Sequence, residues 1–147
     1  MKKYKIIISY DGTNYHGWQF QESGFSVTQV LQDRFKLVFC KDIKLVGASR
    51  TDAGVHAMGQ VASFYTDLPV KRQKLIKIWN NVLPSDIAIR SIELVDDSFH
   101  PQHSVVQKTY HYQIFKERPL PFVQRYGFYC KRLFDLDTLK TGLKVFV

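Results

Sequence analysis

Gly47-Ala48-Ser49-Arg50-Thr51-Asp52-Ala53-Gly54-Val55-His56-Ala57-Met58-Gly59-Gln60-Val61-Ala62-Ser63-Phe64 is the stretch that organises this chain. It begins where an apolar run, Ile43 to Val46, ends, and it closes on Val61, Ser63 and Phe64-Tyr65, which read as a second strand. Gly47, Gly54 and Gly59 lie between them, and glycine allows positive φ and close backbone approach. Arg50 and Asp52 stand two apart, so an extended chain puts both on one face. A loop of this kind can hold two opposite charges side by side at the mouth of a cleft. Asp52-Ala53-Gly54 also reads as a plain turn, since Asp and Gly favour turns for backbone reasons of their own.

The full run resembles the signature of the TruA family of tRNA pseudouridine synthases, Gly-Ala-Gly/Ser-Arg-Thr-Asp-Ala-Gly-Val-His-Ala-x-Gly-Gln-Val. The resemblance implies that Asp52 is the catalytic residue. Three further blocks are similar to that family: Tyr10-Asp11-Gly12-Thr13 with Gly17-Trp18-Gln19; Asn80, Leu83-Pro84 and Asp86-Ile87; and Lys108-Thr109-Tyr110-His111-Tyr112. In the last of these the resemblance implies that Tyr110 stacks on the target base. One block departs. Phe99-His100-Pro101-Gln102 stands where the family usually has Phe-His-Ala-Arg, so Gln102 cannot supply that charge.

The chain has 147 residues, 45% hydrophobic and 14% aromatic, which fits a folded domain with a real core. Its formal net charge is +8. Residues 1–70 carry a net +2 and residues 71–147 a net +6. That balance favours a polyanionic partner such as nucleic acid, though a solvated Lys-rich surface has the same composition. The two cysteines, Cys40 and Cys130, form neither a disulfide framework nor a four-ligand zinc site. Both sit among apolar neighbours and read as buried thiols, which suits a reducing cytoplasm. Ile6-Ile7-Ile8 is too short for a signal-peptide core, and no apolar run approaches the roughly 20 residues of a membrane helix.

In chain order, residues 4–10 read as a strand rich in β-branched side chains. The following loop carries Tyr15, Trp18 and Phe20. Such rings can stack on nucleobases or plug the core, and core packing is the favoured reading because loops of this size pack on their own side chains. Thr28 is a candidate N-cap for a helix with Leu31, Phe35 and Val38 on one face. Residues 43–46 and 60–65 read as strands. Residues 71–82 read as an amphipathic helix with Leu75, Ile76, Trp79 and Val82 inward and Lys71, Arg72, Lys74 and Lys77 outward. Residues 88–95 alternate imperfectly, and residues 104–116 alternate cleanly enough to predict one long strand. A short strand is expected within 126–131, and Asp135 is a plausible cap for a last helix carrying Leu136, Leu139, Leu143 and Val147.

The order β-α-β-β-α-β predicts an α+β fold: a ferredoxin-like, RRM-like antiparallel sheet with helices on one face. The expected division is 1–105, an RNA-modifying domain with the catalytic loop, and 106–147, the long strand and start of a second domain that is cut short. By resemblance, members of the family continue into a second domain that supplies another basic residue against the aspartate.

The implied reaction isomerises uridine to pseudouridine in the tRNA anticodon stem-loop, at positions 38 to 40. No redox step occurs and no group arrives from outside, so no cofactor and no metal are expected. A carboxylate nucleophile must be ionised, so a cation beside it should favour the charged form, and Arg50 is the local candidate; a phosphate contact is its other reading. The uridine must leave its stack to be reached. Without the resemblance, Tyr110 and Tyr112 read as same-face strand residues filling a core. His56 is expected to make structural hydrogen bonds. The expected partners are tRNA and, by resemblance, a second copy of the chain in a homodimer. The rival readings are a non-catalytic RNA-binding domain with exposed sheet aromatics, a truncated inactive fragment of such a synthase, or a scaffold that pairs with another chain.

Overall fold

β1 (Lys2–Tyr10) is the spine of the sheet, because both of its edges are paired. In the computed structural model, which describes residues 1–21, 24–132 and 135–146, it lies between β3 (Ala57–Thr66) and β4 (Ile87–Val95), antiparallel to both. β2 (Val46–Gly47) pairs with the outer edge of β3, giving the order β2-β3-β1-β4. With α1 (Val27–Phe39) and α2 (Arg72–Val82) as the two crossovers, this is the ferredoxin-like arrangement, an α+β fold. The chain separates into two compact units, Met1–Val106 and Gln107–Val147.

Strand periodicity sorts the first unit into layers. Tyr4, Ile6, Ile8 and Tyr10 alternate toward the core, and their partners Phe64, Ala62, Ile92, Ile89 and Ile87 share that side and are buried. The helices cover it with Leu31, Phe35, Leu75 and Trp79. Phe35, Phe64 and Trp79 meet edge to face, with centroids 4.8 to 5.7 Å apart and planes at 70° to 80°. The Trp79 indole N–H donates to the Leu31 carbonyl at 3.1 Å, so the largest core side chain buries no unmet donor.

The imperfect alternation of residues 87–95 has a physical cause. Ile7 faces Ser91 and Ile8 faces Ile89, so Arg90 is an extra residue, a β-bulge that shifts the phase of the buried isoleucines. The Asn80 side chain pins the bulge, donating to the Ile89 carbonyl at 2.9 Å and accepting its N–H at 2.8 Å. A second irregularity lies on the other edge of β1. There Met58 and Gly59 stand opposite Ser9, between the pairs Ile8–Gln60 and Tyr10–Ala57.

Several local expectations are corrected. The N-cap of α1 is Ser26, whose hydroxyl accepts the Gln29 N–H at 3.2 Å; Thr28 sits in the first turn and donates to the Trp18 carbonyl at 2.5 Å. Of the 43–46 run only Val46 joins the sheet, followed by Gly47, and the Leu45 N–H is met by the Gln32 side chain instead, at 2.9 Å. Cys40 is exposed rather than buried. It caps the end of α1 in the left-handed conformation, with φ of 51°, its N–H donating to the Lys36 carbonyl. Cys130 is half-buried.

The second unit contains β5 (Ile114–Phe115) and β6 (Phe128–Tyr129), which pair in parallel, and α3 (Leu136–Leu143). Asp135 caps α3 as expected, accepting the Asp137 and Thr138 N–H groups. Val147 lies outside the described residues. The long strand expected over 104–116 shrinks to Ile114–Phe115. A strand needs a ladder partner for its backbone groups, and residues 105–112 have none among the described residues, while the Gln113 carbonyl accepts the Phe128 N–H at 2.8 Å. Tyr110 and Tyr112 are 72% and 89% exposed, so neither fills a core. Among the described residues no helix is long and apolar enough to cross a membrane.

The aromatic cluster sets an expected outcome. Trp79→Ala should destabilise the first unit by about 3–5 kcal/mol, through lost burial and the cavity left between α1 and β3. Trp79→Phe should cost less, since it keeps most of the ring contact and leaves the Leu31 carbonyl its helical hydrogen bond. Urea unfolding of the two variants checks the order; equal and small losses would contradict it.

Candidate active site

The signature stretch runs from β2 to β3 as a loop whose backbone is tied down on both sides. The Ala48 N–H donates to the Val61 carbonyl at 2.8 Å, and the buried Gln60 amide reaches across to the Ser49 carbonyl at 2.5 Å. The Thr51 carbonyl accepts the Trp18 N–H at 3.1 Å, while its hydroxyl lies 2.8 Å from the Tyr10 hydroxyl. The Val55 N–H then closes a turn onto the Asp52 carbonyl at 3.2 Å. Gly54, third in that turn, has φ of +78°, as a type II turn requires. Its N–H donates to the Tyr15 carbonyl at 3.1 Å.

The tying segment is residues 10–18, and it can come this close only because two of its residues lack a Cβ. A Cβ on Gly17 would stand 2.3 Å from the Thr51 carbonyl oxygen, and Gly17 also has φ of +86°. A Cβ on Gly12 would stand 2.0 Å from the Val55 carbonyl oxygen. Between the two glycines, Tyr15 and Trp18 turn into the core, as favoured for this loop, while Phe20 stays exposed. The Trp18 ring stacks on Tyr10, with centroids 6.1 Å apart.

Two further contacts lock the segment. The Tyr15 hydroxyl donates to Asp86 Oδ1 at 2.5 Å, and the Asp11 N–H donates to the Asp86 carbonyl at 2.9 Å. Burial, reinforced by the adjacent Asp86 carboxylate, pushes the Tyr15 hydroxyl well above the usual phenol range, so it stays a donor. His56 Nδ1 lies 3.0 Å from the Gly12 nitrogen and 2.9 Å from Asp11 Oδ1. One nitrogen serves one of these at a time: unprotonated it accepts the Gly12 N–H, and protonated it donates to the carboxylate. In either state His56 ties the end of the loop to the 11–12 turn, a hydrogen-bonding role.

On this scaffold Asp52 is exposed, at the first position of the turn. Arg50 is exposed as well, and the two form no ion pair within 4.0 Å among the described residues. The loop therefore presents two separate charged groups to solvent. Tyr110 belongs to the second unit, in an exposed segment without regular secondary structure. Among the described residues no group of three His, Cys, Asp or Glu could hold a metal ion. Reasoning from the sequence missed the roles of Tyr10, Tyr15, Gln60 and Asp86. Three of them lie in recognisable blocks, but only the fold brings 10–18, 49–56 and 86 together.

The family model for tRNA pseudouridine synthases matches residues 6–104, which takes in every residue of this loop and its supports. A protein of Thermodesulfovibrio yellowstonii named tRNA pseudouridine synthase A is 44% identical over 147 residues, covering 99% of this chain and 58% of its own length. A protein of Thermoanaerobacter sp. with the same name is 40% identical over 141 residues, covering 95% of this chain and 58% of its own length. The tRNA pseudouridine synthase A 1 of Protochlamydia amoebophila is 40% identical over 148 residues, with 99% and 58% covered. The chain thus spans 58% of the length of these relatives. With two thirds of its residues in the family match, and with the signature loop fixed on the glycine-bearing segment beside it, this chain belongs to the tRNA pseudouridine synthase family.

Proposed function

We propose that the protein isomerises uridine to pseudouridine in tRNA, within the anticodon stem-loop at positions 38 to 40, with the Asp52 carboxylate as nucleophile. The observation that carries this reading is the exposed Asp52 on a turn whose backbone is held at Thr51, Asp52 and Gly54. A carboxylate can be ionised and reachable there while its main chain stays in place, which is what attack in a fixed geometry needs. The carboxylate adds either to ribose C1′ or to the uracil ring. The C1′–N1 bond breaks, the base turns, and a C1′–C5 bond forms. The hydrogen on C5 leaves as a proton, N1 gains one, and the carboxylate is released unchanged.

Tyr110, exposed in the second unit, is proposed to stack on the flipped uracil. Arg50 is proposed to contribute positive charge where the RNA backbone and the developing negative charge meet. The homodimer and the cytoplasmic setting belong to the same proposal. The division into 1–105 and a second domain beginning at 106 is likewise part of the proposal.

The rival, a binding module that stacks bases on its sheet, is less well supported. On the face of the sheet away from the helices, β1 presents Lys3, Lys5 and Ile7, and β3 presents Val61, Ser63 and Tyr65. Tyr65 is the one aromatic of those two strands on that face among the described residues, and Lys3 already lies over its ring at 5.1 Å. Tyr4, Tyr10 and Phe64 face the helices instead.

The direct test is tritium release from C5-labelled uridine in tRNA by the full-length gene product. Asp52→Asn should abolish release while tRNA affinity and thermal stability stay near wild type, the latter within about 0.5 kcal/mol for an exposed residue. Retained release would overturn the catalytic assignment. tRNA affinity should also fall at least about tenfold between 50 and 200 mM salt through counterion release, and replacing Lys74 and Lys77 of α2 by Gln should lower the salt slope by about 2. An affinity independent of salt would contradict a phosphate-binding role.

A further inference from the structure

Thr51 sits immediately before the residue proposed as nucleophile, and it is fixed twice. Its carbonyl accepts the Trp18 N–H at 3.1 Å, and its hydroxyl is 2.8 Å from the hydroxyl of Tyr10. Thr51 is β-branched, so a bond to its hydroxyl selects one χ1 well and thereby holds the Cα from which Asp52 departs. Tyr10 is itself well fixed. It is 4% exposed, lies at the end of β1 paired with Ala57 and Ile87, and stacks on Trp18. The irregularities on both edges of β1 fall within the last residues before Tyr10, and their extra residues belong to β3 and β4, the strands that flank it. The Asp52 side chain, by contrast, makes no hydrogen bond or ion pair among the described residues. Its aim is therefore set through its main chain.

We propose that Tyr10 is a positioning residue for the isomerisation, acting on Asp52 through the Thr51 hydroxyl. The inference rests on Asp52 being the nucleophile. Burial pushes the Tyr10 hydroxyl up, which keeps it protonated at working pH, so the hydroxyl pair persists there. Tyr10 touches no reacting atom. It limits how far the turn can rotate, and a misplacement of an ångström at a reacting group is enough for a large loss of rate.

Three single variants and one double variant test it in the full-length gene product, by single-turnover rate at saturating tRNA, tRNA dissociation constant and melting temperature. Tyr10→Phe removes one oxygen and keeps the Trp18 stack. Thr51→Val removes the other partner, and Thr51→Ser restores a hydroxyl. Tyr10→Phe and Thr51→Val should each lower the single-turnover rate by about tenfold to a hundredfold, with tRNA affinity within about twofold of wild type. The double variant should lose no more than the worse single, since both remove one bond. Thr51→Ser should stay within about threefold of wild type. Unchanged rates, losses that multiply in the double variant, or losses confined to affinity or melting temperature would overturn the proposal. If Tyr10→Phe does not fold, Thr51→Val against Thr51→Ser decides the matter alone. Asp52→Asn run in parallel separates the two ideas: its retained activity would sink the nucleophile, whereas a dead Asp52→Asn beside a normal Tyr10→Phe sinks only the positioning role.

Discussion

Two carbonyl oxygens, those of Thr51 and Val55, sit where the β-carbons of residues 17 and 12 would otherwise be. That close approach of two backbones is the constraint on which the site depends. It lets the Trp18 N–H and the Tyr15 carbonyl reach the loop directly, so the turn at residues 52–55 is held by main-chain bonds and not by mobile side chains. A larger residue at position 12 or 17 would force the two segments apart and break those bonds together. Tyr15 and Trp18 are buried on the core side of the same segment, which couples the position of the loop to the packing of the fold.

The sheet serves this arrangement. β1 is central and ends at Tyr10, so the strand with the most pairing partners delivers its last side chain to Thr51. β4 begins beside Asp86, whose carboxylate and carbonyl hold Tyr15 and Asp11. The aromatic group of Phe35, Phe64 and Trp79 closes the core behind these strands. A rigid scaffold with an exposed carboxylate at its rim suits the nucleophilic role proposed for Asp52, since the backbone would supply accuracy and the solvent-facing group reactivity.

Much of this was legible in the residues. The β-α-β-β-α-β order, the inward face of α2, Leu31 and Phe35 of α1 and the importance of the 47–64 run follow from periodicity, glycine placement and resemblance, while Val38 of α1 yields its place on the core to Val27 and Phe39. The misses share a cause, which is that a sequence shows preferences and not partners. Residues 105–112 alternate like a strand, yet no described segment pairs with them. Thr28 is as good a capping residue as Ser26, but its hydroxyl is taken by the Trp18 carbonyl. The 88–95 alternation looked faulty because one bulged residue, Arg90, shifts its phase. The Tyr10–Thr51 and Tyr15–Asp86 contacts join residues 41 and 71 positions apart, and nothing in the local pattern announces them.

The 10–18 segment holds the Asp52 turn, and native-state amide hydrogen exchange reads that hold residue by residue. The Trp18 and Gly54 amides should be protected at least about a hundredfold over the Ala53 amide, which has no hydrogen-bond acceptor among the described residues. Comparable fast exchange at all three would show a loop that moves independently of its scaffold and would contradict the account.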